Sequence, residues 1–381
     1  MTHYSMYTYP WDLREEGADT VAGRLRDSGI TGVALSTSYH SGKFLRPHAP
    51  KRKSCFPEGG TVYFRPDPAR YRTLQPRLAG MAEDYDPLRI LAETCGDLPV
   101  TAWTVGLHNS RLGAAHPELA AQTPFGDPLM NSLCPTQPEV RHYLMALSLD
   151  TAAQPGVREI AIETPGWQTF RHGHHHEFEL IEPPEPVQIM LGTCFCDACR
   201  AGAVRQGIDV GALARRTVDE LKRFFATAEV PTSDPREDAD WAAFQAWRLE
   251  IVTTLMAEIR AELSQDVGLA VIPTTQTPND LCWIEGSDLA GLAHAADRLE
   301  VPAYQCGAAD IVADARRARE AAGVKAKIGF MLRPTWPHLT DAAQVSEAMS
   351  GLARLDPVSV SFYNYGHMRL QSLDWIAAAI G

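Results

Sequence analysis

Short apolar runs rich in β-branched residues alternate with helical stretches along the chain. Several of these runs are continuously apolar, as strands buried on both faces of a parallel sheet are. We predict eight strands, at Tyr4–Tyr9, Gly32–Ser38, Val100–Leu107, Glu159–Glu163, Gly268–Pro273, Leu299–Tyr304, Lys327–Leu332 and Val358–Tyr363.

Helical periodicity fills the intervals between the strands. The clearest helix runs from about Asp240 to Ser264, where apolar residues recur every three or four positions. Further helices are predicted at Ala18–Asp27, Asp86–Cys95, Ala308–Ala321 and Ala342–Leu355. This alternation over 381 residues predicts an α/β fold, a (β/α)8 TIM barrel forming a single domain over residues 1–381. A doubly wound open sheet is the alternative, but no Gly-x-Gly-x-x-Gly follows the first strand.

Two connections are unusually long, from His40 to about Asp84 and from Glu163 to about Asp240. Long loops in compact domains are usually functional or disordered. Because both connections follow strands, we expect both at the C-terminal face, where barrel enzymes place their chemistry. We interpret residues 164–240 as an insertion after strand four.

Charge and composition exclude several kinds of partner. The formal net charge is −12 at pH 7, which disfavours nucleic acids and anionic membrane surfaces, since both require clustered Lys and Arg. No apolar stretch approaches the roughly 18 residues that span a bilayer. The first residues lack the basic and apolar segments of a secretory signal, so we expect a cytoplasmic protein.

A cysteine cluster is the strongest local motif. Cys194, Cys196 and Cys199 lie within six residues, close enough for their sulfurs to bind one soft cation. A closed structural zinc site takes four ligands, and Cys134 is the best candidate for the fourth. The alternative is a group of reduced, buried thiols with no metal.

These residues resemble the family 42 β-galactosidases of glycoside-hydrolase clan A. That family has a four-cysteine zinc site, with one Cys in a Cys-Pro-Asn-Ser-Pro-like segment and three in a Cys-x-Cys-x-x-Cys. Residues 134–138 and 194–200 match these two segments, and residues 7–11 and 28–33 resemble the family's first βα unit. The resemblance implies a TIM barrel, an oligosaccharide or smaller carbohydrate substrate, structural zinc, and association of barrels into a homo-oligomer.

The resemblance implies a counterpart for one of the family's two catalytic residues and none for the other. The family's acid/base ends strand four, where this chain has Glu163. The family's nucleophile ends strand seven, where this chain has Arg333 and no carboxylate. We therefore expect an inverting or atypical reaction with Glu163 as acid/base. Arg333 indicates either an anionic group in the ligand, such as a uronate, or an ion pair with a protein carboxylate.

A glycosidase generally needs a second carboxyl group. Glu177, Glu285 and Asp280 all lie in segments that could follow strands four and five. Glu177 ends the histidine-rich run from His172, which is interpreted as a sugar-contacting segment, a second metal site or a solvated loop. Further polar and aromatic residues near strand ends are candidates for substrate binding: Trp11, His40, His108, Asn109, Trp167, His174, His176, Tyr304, Arg333, Trp336, Tyr363 and Asn364.

Three functions are compatible with this pattern. The first is a glycoside hydrolase. The second is a metal-dependent lyase or isomerase that uses the His172–Glu177 loop, and the third is a carbohydrate-binding pseudoenzyme without the nucleophile.

Overall fold

The fold is a closed parallel barrel. The computed structural model describes residues 2–172, 178, 180–232, 235 and 237–381. The barrel strands are β1 His3–Thr8, β2 Gly32–Tyr39, β3 Val100–Val105, β4 Val157–Glu163, β5 Gly268–Ile272, β6 Arg298–Ala303, β7 Ile328–Leu332 and β8 Ser359–Phe362. Strand β1 pairs in parallel with both β2 and β8, which closes the ring. The predicted (β/α)8 barrel is confirmed.

Helices cover the outside of this barrel, and others lie within the connections on its C-terminal face. They are α1 Pro10–Glu16, α2 Ala18–Asp27, α3 Pro87–Thr94, α4 Ser110–Ala115, α5 Pro138–Ala152, α6 Glu185–Gly192, α7 Asp197–Arg205, α8 Val210–Thr227, α9 Ala239–Glu262, α10 Leu289–Ala295, α11 Ala308–Ala322, α12 Ala342–Ala353 and α13 Gln371–Ile380. Short 3-10 helices lie at Pro68–Arg70, Gly80–Ala82, Pro117–Leu119 and Asn279–Glu285. None of the helices in the described residues is long and apolar enough to cross a membrane.

Helix α9 agrees closely with the helix predicted from periodicity. Asp238 caps its N-terminus by accepting hydrogen bonds from the backbone N–H groups of Asp240 and Trp241, both at 3.0 Å. Phe244 and Leu255 on its apolar face are fully buried. Burial of that face, rather than helix propensity, stabilises a helix of this length.

The two long connections contain more structure than the apolar pattern indicated. In the first, Thr61–Val62 adds antiparallel to the end of β2, and Arg77–Leu78 pairs with it. Phe44–Leu45 pairs with Ser54–Cys55. The second connection contains α6, α7 and α8 and meets the hairpin of Ala120–Gln122 and Pro128–Leu133 through the backbone hydrogen bond from Phe195 N–H to Gln122 C=O.

The barrel interior has a charged lower layer and an aromatic upper layer. In the lower layer, Arg298 donates to both carboxylate oxygens of Glu159, at 2.8 and 2.6 Å, and pairs with buried Glu300. In the layer above, Tyr7 packs edge-on against Trp103, with ring centroids 5.2 Å apart. Paired charges therefore fill the base of the barrel, and side chains nearer the C-terminal face are free to form a site.

Candidate active site

Glu163 is the last residue of β4 and is only 9% exposed. The indole Nε1–H of Trp103, on neighbouring strand β3, donates a 2.7 Å hydrogen bond to Glu163 Oε2. Burial raises the pKa of Glu163 to about 7, although the Trp103 hydrogen bond and the charge of Arg333 both act to lower it. A carboxyl group that titrates near neutral pH can serve as a general acid or base.

A second buried carboxyl group belongs to Glu285, at the end of the 3-10 helix after β5. Its Oε1 accepts a 2.9 Å hydrogen bond from the Thr274 hydroxyl. Burial is the main cause that raises the pKa of Glu285 to about 8, and the negative charge of Glu163 contributes to the rise. The charge of Glu163 therefore acts on Glu285.

Three tyrosine hydroxyls meet near Glu163, whose charge acts on Tyr39 and Tyr363. Tyr9 Oη lies 2.9 Å from Tyr39 Oη and 3.0 Å from Tyr363 Oη, and Tyr39 and Tyr363 are 3.3 Å apart. Burial raises the pKa of each phenol. All three stay protonated at neutral pH and can donate hydrogen bonds to a hydroxyl-rich ligand.

Arg333 follows β7, and its guanidinium is held by aromatic side chains. The guanidinium carbon lies 3.6 Å from the ring centroid of Tyr304 and 5.2 Å from that of Tyr363. Nη1 lies 3.3 Å from His338 Nε2. Within the described residues, no carboxylate lies within 4.0 Å of the Arg333 nitrogens, so the ion pair considered from the sequence is not found there.

The predicted histidines form a stack along one side. The His40 ring stacks on Tyr39 at 4.3 Å and on His108 at 4.2 Å, and His172 packs edge-on against His108 at 5.3 Å. Burial lowers the pKa of His40 to about 4 and also lowers that of His172, so both rings are neutral at neutral pH. The predicted His174, His176 and Glu177 lie outside the described residues.

Three other predicted residues have structural contacts. Trp167 is fully buried, and the Arg248 guanidinium lies 4.3 Å from its ring centroid. Asn109 caps α4 by accepting a 3.0 Å hydrogen bond from the N–H of Leu112. Buried Asn364 accepts a 3.0 Å hydrogen bond from Gly366 N–H. These contacts account for the three side chains through packing and backbone support.

The remaining candidates differ in exposure. Trp11 is buried and stacks on Tyr9 with ring centroids 4.3 Å apart, so it supports the tyrosine group from behind. Trp336 is 74% exposed beyond β7, and Asp280 is exposed on the 3-10 helix that ends at Glu285. Of the two carboxylates proposed after β5, the structure therefore buries Glu285, on which the charge of Glu163 acts, and leaves Asp280 at the surface.

Sequence reasoning missed Trp103, Tyr9, Tyr39 and Thr274. Trp103 was hidden inside an apolar strand, where an indole is usually core. The sequence did contain a signal for Trp103. Trp103 and Val105 are two residues apart on β3, and every second residue of a barrel strand faces the interior. The tyrosines come from strands far apart in sequence, so their meeting depends on barrel closure.

The four predicted cysteines form one cluster, and all are buried. Their sulfurs lie within 4.8 Å of one another. The Cys134 sulfur is 3.5 Å from that of Cys199, 3.7 Å from that of Cys196 and 3.8 Å from that of Cys194. A tetrahedral zinc ion about 2.3 Å from each sulfur would separate the sulfurs by about 3.8 Å, so the donor set and spacing fit a metal site.

Polar groups surround the cysteine cluster. The Thr136 hydroxyl lies 2.8 Å from Cys134 Sγ and 3.2 Å from Cys199 Sγ, and Gln122 N–H donates to Cys194 Sγ at 3.3 Å. Arg248 is fully buried, which lowers the pKa of its guanidinium, while cluster cysteines act to raise it. Such groups favour the thiolate form that binds metal. Among the described residues, this is the one group of His, Cys, Asp and Glu side chains spaced for a metal ion.

Known proteins share this architecture at low sequence identity. The glycoside hydrolase domain of PgaB (BpsB) from Bordetella bronchiseptica is 13% identical, with a TM-score of 0.59 over 95% of this chain and 94% of that one. The catalytic domain of β-amylase from Paenibacillus polymyxa is 10% identical, with a TM-score of 0.63 over 100% of this chain and 97% of that one. The shared feature is the barrel fold. At these identities the likeness carries the fold alone.

No protein-family profile matches the sequence, and no curated protein matches it. The resemblance to family 42 therefore stays a hypothesis. The barrel is confirmed independently of it, by the closed ring of eight parallel strands.

Proposed function

We propose that this protein is a glycoside hydrolase in which Glu163 and Glu285 are the catalytic carboxyl groups. The observation that carries the proposal is the burial of both groups, Glu163 at the end of β4 and Glu285 in the connection that follows β5, with pKa values raised to about 7 and about 8. A buried carboxyl group with only a structural role is normally paired with a cation. The names of the two similar structures, a glycoside hydrolase domain and a β-amylase, support a carbohydrate substrate.

The pair can supply both proton transfers of hydrolysis. The Trp103 hydrogen bond favours the ionised form of Glu163, and the charge of Glu163 favours the protonated form of Glu285. Protonated Glu285 would donate its proton to the leaving glycosidic oxygen, and ionised Glu163 would accept a proton from the attacking water. The water oxygen forms the new bond to the anomeric carbon as the glycosidic bond breaks. In this arrangement Glu163 is the general base, Glu285 is the general acid, and the reaction inverts the anomeric centre.

The end of β7 favours inversion over retention. Arg333 stands where a clan A nucleophile would be, and a guanidinium cannot attack an anomeric carbon. The second carboxyl comes instead from the β5 connection. The tyrosine hydroxyls and the Trp103 indole carry no charge at neutral pH, so they would hold and orient the reacting groups through hydrogen bonds.

Turnover of a panel of nitrophenyl glycosides and oligosaccharides tests this proposal. We expect hydrolysis of at least one substrate, and a loss of at least about a hundredfold in kcat for both Glu163→Gln and Glu285→Gln. Asp280→Asn is the matched control, because Asp280 is exposed on the same 3-10 helix and should keep full activity. Binding of a sugar without turnover by the wild-type protein would favour the pseudoenzyme instead.

We also propose that the cysteine cluster holds one structural zinc ion. Cys134, Cys194, Cys196 and Cys199 fill all four positions of a tetrahedral site, so the ion would bind no substrate. Zinc would tie the segment after β4 to the hairpin that ends at Leu133. We accordingly treat the chain as one barrel domain over residues 1–381 with residues 164–240 as a zinc-fastened insertion.

A further inference from the structure

Arg333 has the contacts of a ligand-binding cation. Its guanidinium is stacked on Tyr304 at 3.6 Å, and Nη1 contacts His338. Its buried Nε has no hydrogen-bond partner in the described part of the chain. Stacking fixes the plane of a guanidinium while leaving its edge to form paired hydrogen bonds with a carboxylate.

The neighbours of Arg333 do not neutralise it. Burial and the charge of Arg333 lower the pKa of His338, and Arg333 also lowers that of His367 after the larger effect of burial. The phenols of Tyr304 and Tyr363 stay protonated because burial raises their pKa values. Burial likewise raises the pKa values of Glu163 and Glu285 to about 7 and about 8, so neither carries a full negative charge at pH 7.

We infer that the site takes an acidic sugar, whose carboxylate pairs with the Nε–Nη2 edge of Arg333. The inference rests on the proposed function and specifies its substrate class. Arg333 is partly buried, and its buried Nε–H has no partner among the described residues, which is costly unless a ligand supplies one; a bound uronate carboxylate would be that partner. The Tyr363 ring centroid lies 5.2 Å from the Arg333 guanidinium carbon, and the Tyr363 hydroxyl is grouped with those of Tyr9 and Tyr39, so this group would contact the hydroxyls of the same sugar ring.

Three matched pairs of ligands test the inference: sodium D-glucuronate against D-glucose, D-galacturonate against D-galactose, and D-mannuronate against D-mannose. Each pair differs by oxidation at one carbon. Calorimetric titration of the wild-type protein should give binding of at least one uronate about tenfold or more tighter than its neutral partner. Added salt should weaken uronate binding and leave neutral sugar binding unchanged.

Variants identify the residue responsible. Arg333→Met should remove the uronate preference, whereas Arg354→Met, which changes an exposed arginine on the outside of the barrel, should keep it. The salt dependence in the wild-type protein tests the charge without any variant. Equal or tighter binding of the neutral sugars, no uronate binding up to about 20 mM, or an unchanged preference in Arg333→Met would overturn the inference.

The same experiment separates this inference from the proposed hydrolysis. Glu163→Gln should keep or strengthen the uronate preference, because it leaves Arg333 in place and removes a partial negative charge that interacts with it. A uronate preference without turnover of any glycoside would overturn the proposed function alone. Hydrolysis of neutral glycosides with no uronate preference would overturn the substrate class alone.

Discussion

Trp103 Nε1 donates a 2.7 Å hydrogen bond to Oε2 of Glu163, across the β3–β4 pair inside the barrel. Both side chains are buried, so the contact is shielded from water. The indole donor favours the charged form, while burial favours the neutral form. The balance leaves the pKa of Glu163 at about 7, where it can exchange a proton during turnover.

Removal of this donor should shift the acid limb of the pH–rate profile. In Trp103→Phe, ionised Glu163 loses its hydrogen bond, so its pKa should rise by about one unit. Activity that requires ionised Glu163 should then appear only at correspondingly higher pH. Trp375→Phe, on outer helix α13, should leave the profile unchanged. An acid limb at the wild-type pH in Trp103→Phe would show that the contact does not control Glu163.

The wild-type pH–rate profile should be a narrow bell. Activity needs one ionised and one protonated carboxyl group, and the two pKa values are about 7 and about 8. Activity should fall below about pH 7 because both groups become protonated, and above about pH 8 because both become ionised. Each limb of the bell should extend over about one pH unit. A profile that stays flat from about pH 5 to about pH 9 would therefore be incompatible with this pair.

Glu285 should cost the folded protein stability at alkaline pH. Its pKa rises from 4.5 to about 8 on folding, so the unfolded chain loses this proton first as pH increases. Stability from this group is present below pH 4.5 and is lost as pH rises to about 8. Glu285→Gln should therefore be more stable than wild type by about 1–3 kcal/mol at alkaline pH, with the difference shrinking towards pH 4.5.

Denaturant unfolding of both proteins across this pH range measures the difference. Glu262→Gln, at the exposed end of α9, is the matched control and should show no such pH-dependent gain. If Glu285→Gln is destabilised equally at every pH, the carboxyl group is a structural hydrogen-bond acceptor and the linkage argument is wrong.

Loss of zinc should loosen the segment after β4 and leave the barrel folded. Purified protein should contain about one zinc per chain, and Cys196→Ser should release it. Cys306→Ser is the control, since Cys306 is exposed and outside the cluster. Metal analysis with hydrogen exchange of α6 and α7 measures both effects. Metal-free protein of full stability would contradict the site.

Arg248 should link this cluster to the segment that carries Glu285. Its Nη2 donates a 3.1 Å hydrogen bond to the carbonyl of Ile284, the residue before Glu285, and its guanidinium covers Trp167. A zinc ion bound by four thiolates carries net negative charge, which a buried guanidinium offsets. Arg248→Met should lose zinc to a chelator faster than wild type, and Arg248→Lys should retain it better than Arg248→Met. Equal zinc release by all three proteins would exclude the electrostatic link.

The fold could be predicted because the barrel strands are short apolar runs separated by periodic helices. Glu163 could be placed for the same reason, since it ends one of those strands. Glu285 could be proposed only as one of three candidates, together with Glu177 and Asp280. It lies in a 3-10 helix, where no strand pattern predicts the direction of its side chain. Its backbone carbonyl accepts a 3.0 Å hydrogen bond from the N–H of Trp167, a contact between distant parts of the chain that no local pattern contains.

Other parts of the site depend on contacts that a linear pattern does not contain. The meeting of Tyr9, Tyr39 and Tyr363 requires β1, β2 and β8 to become neighbours when the barrel closes. Arg333 stood out in the sequence as a departure from an expected carboxylate. Its stacking on Tyr304, which gives it a fixed orientation, came only from the structure.

Direct titration of the two carboxyl groups tests the central claim, that Glu163 and Glu285 form a coupled acid–base pair. Carbon-13 NMR of the glutamate carboxyls, assigned with Glu163→Gln and Glu285→Gln, follows them without any substrate. We predict two wild-type groups titrating at about 7 and about 8, and a lower pKa for Glu285 in Glu163→Gln because the neighbouring charge is gone. Ordinary titration of both groups near pH 4.5, or a Glu285 pKa unaffected by Glu163→Gln, would contradict the account.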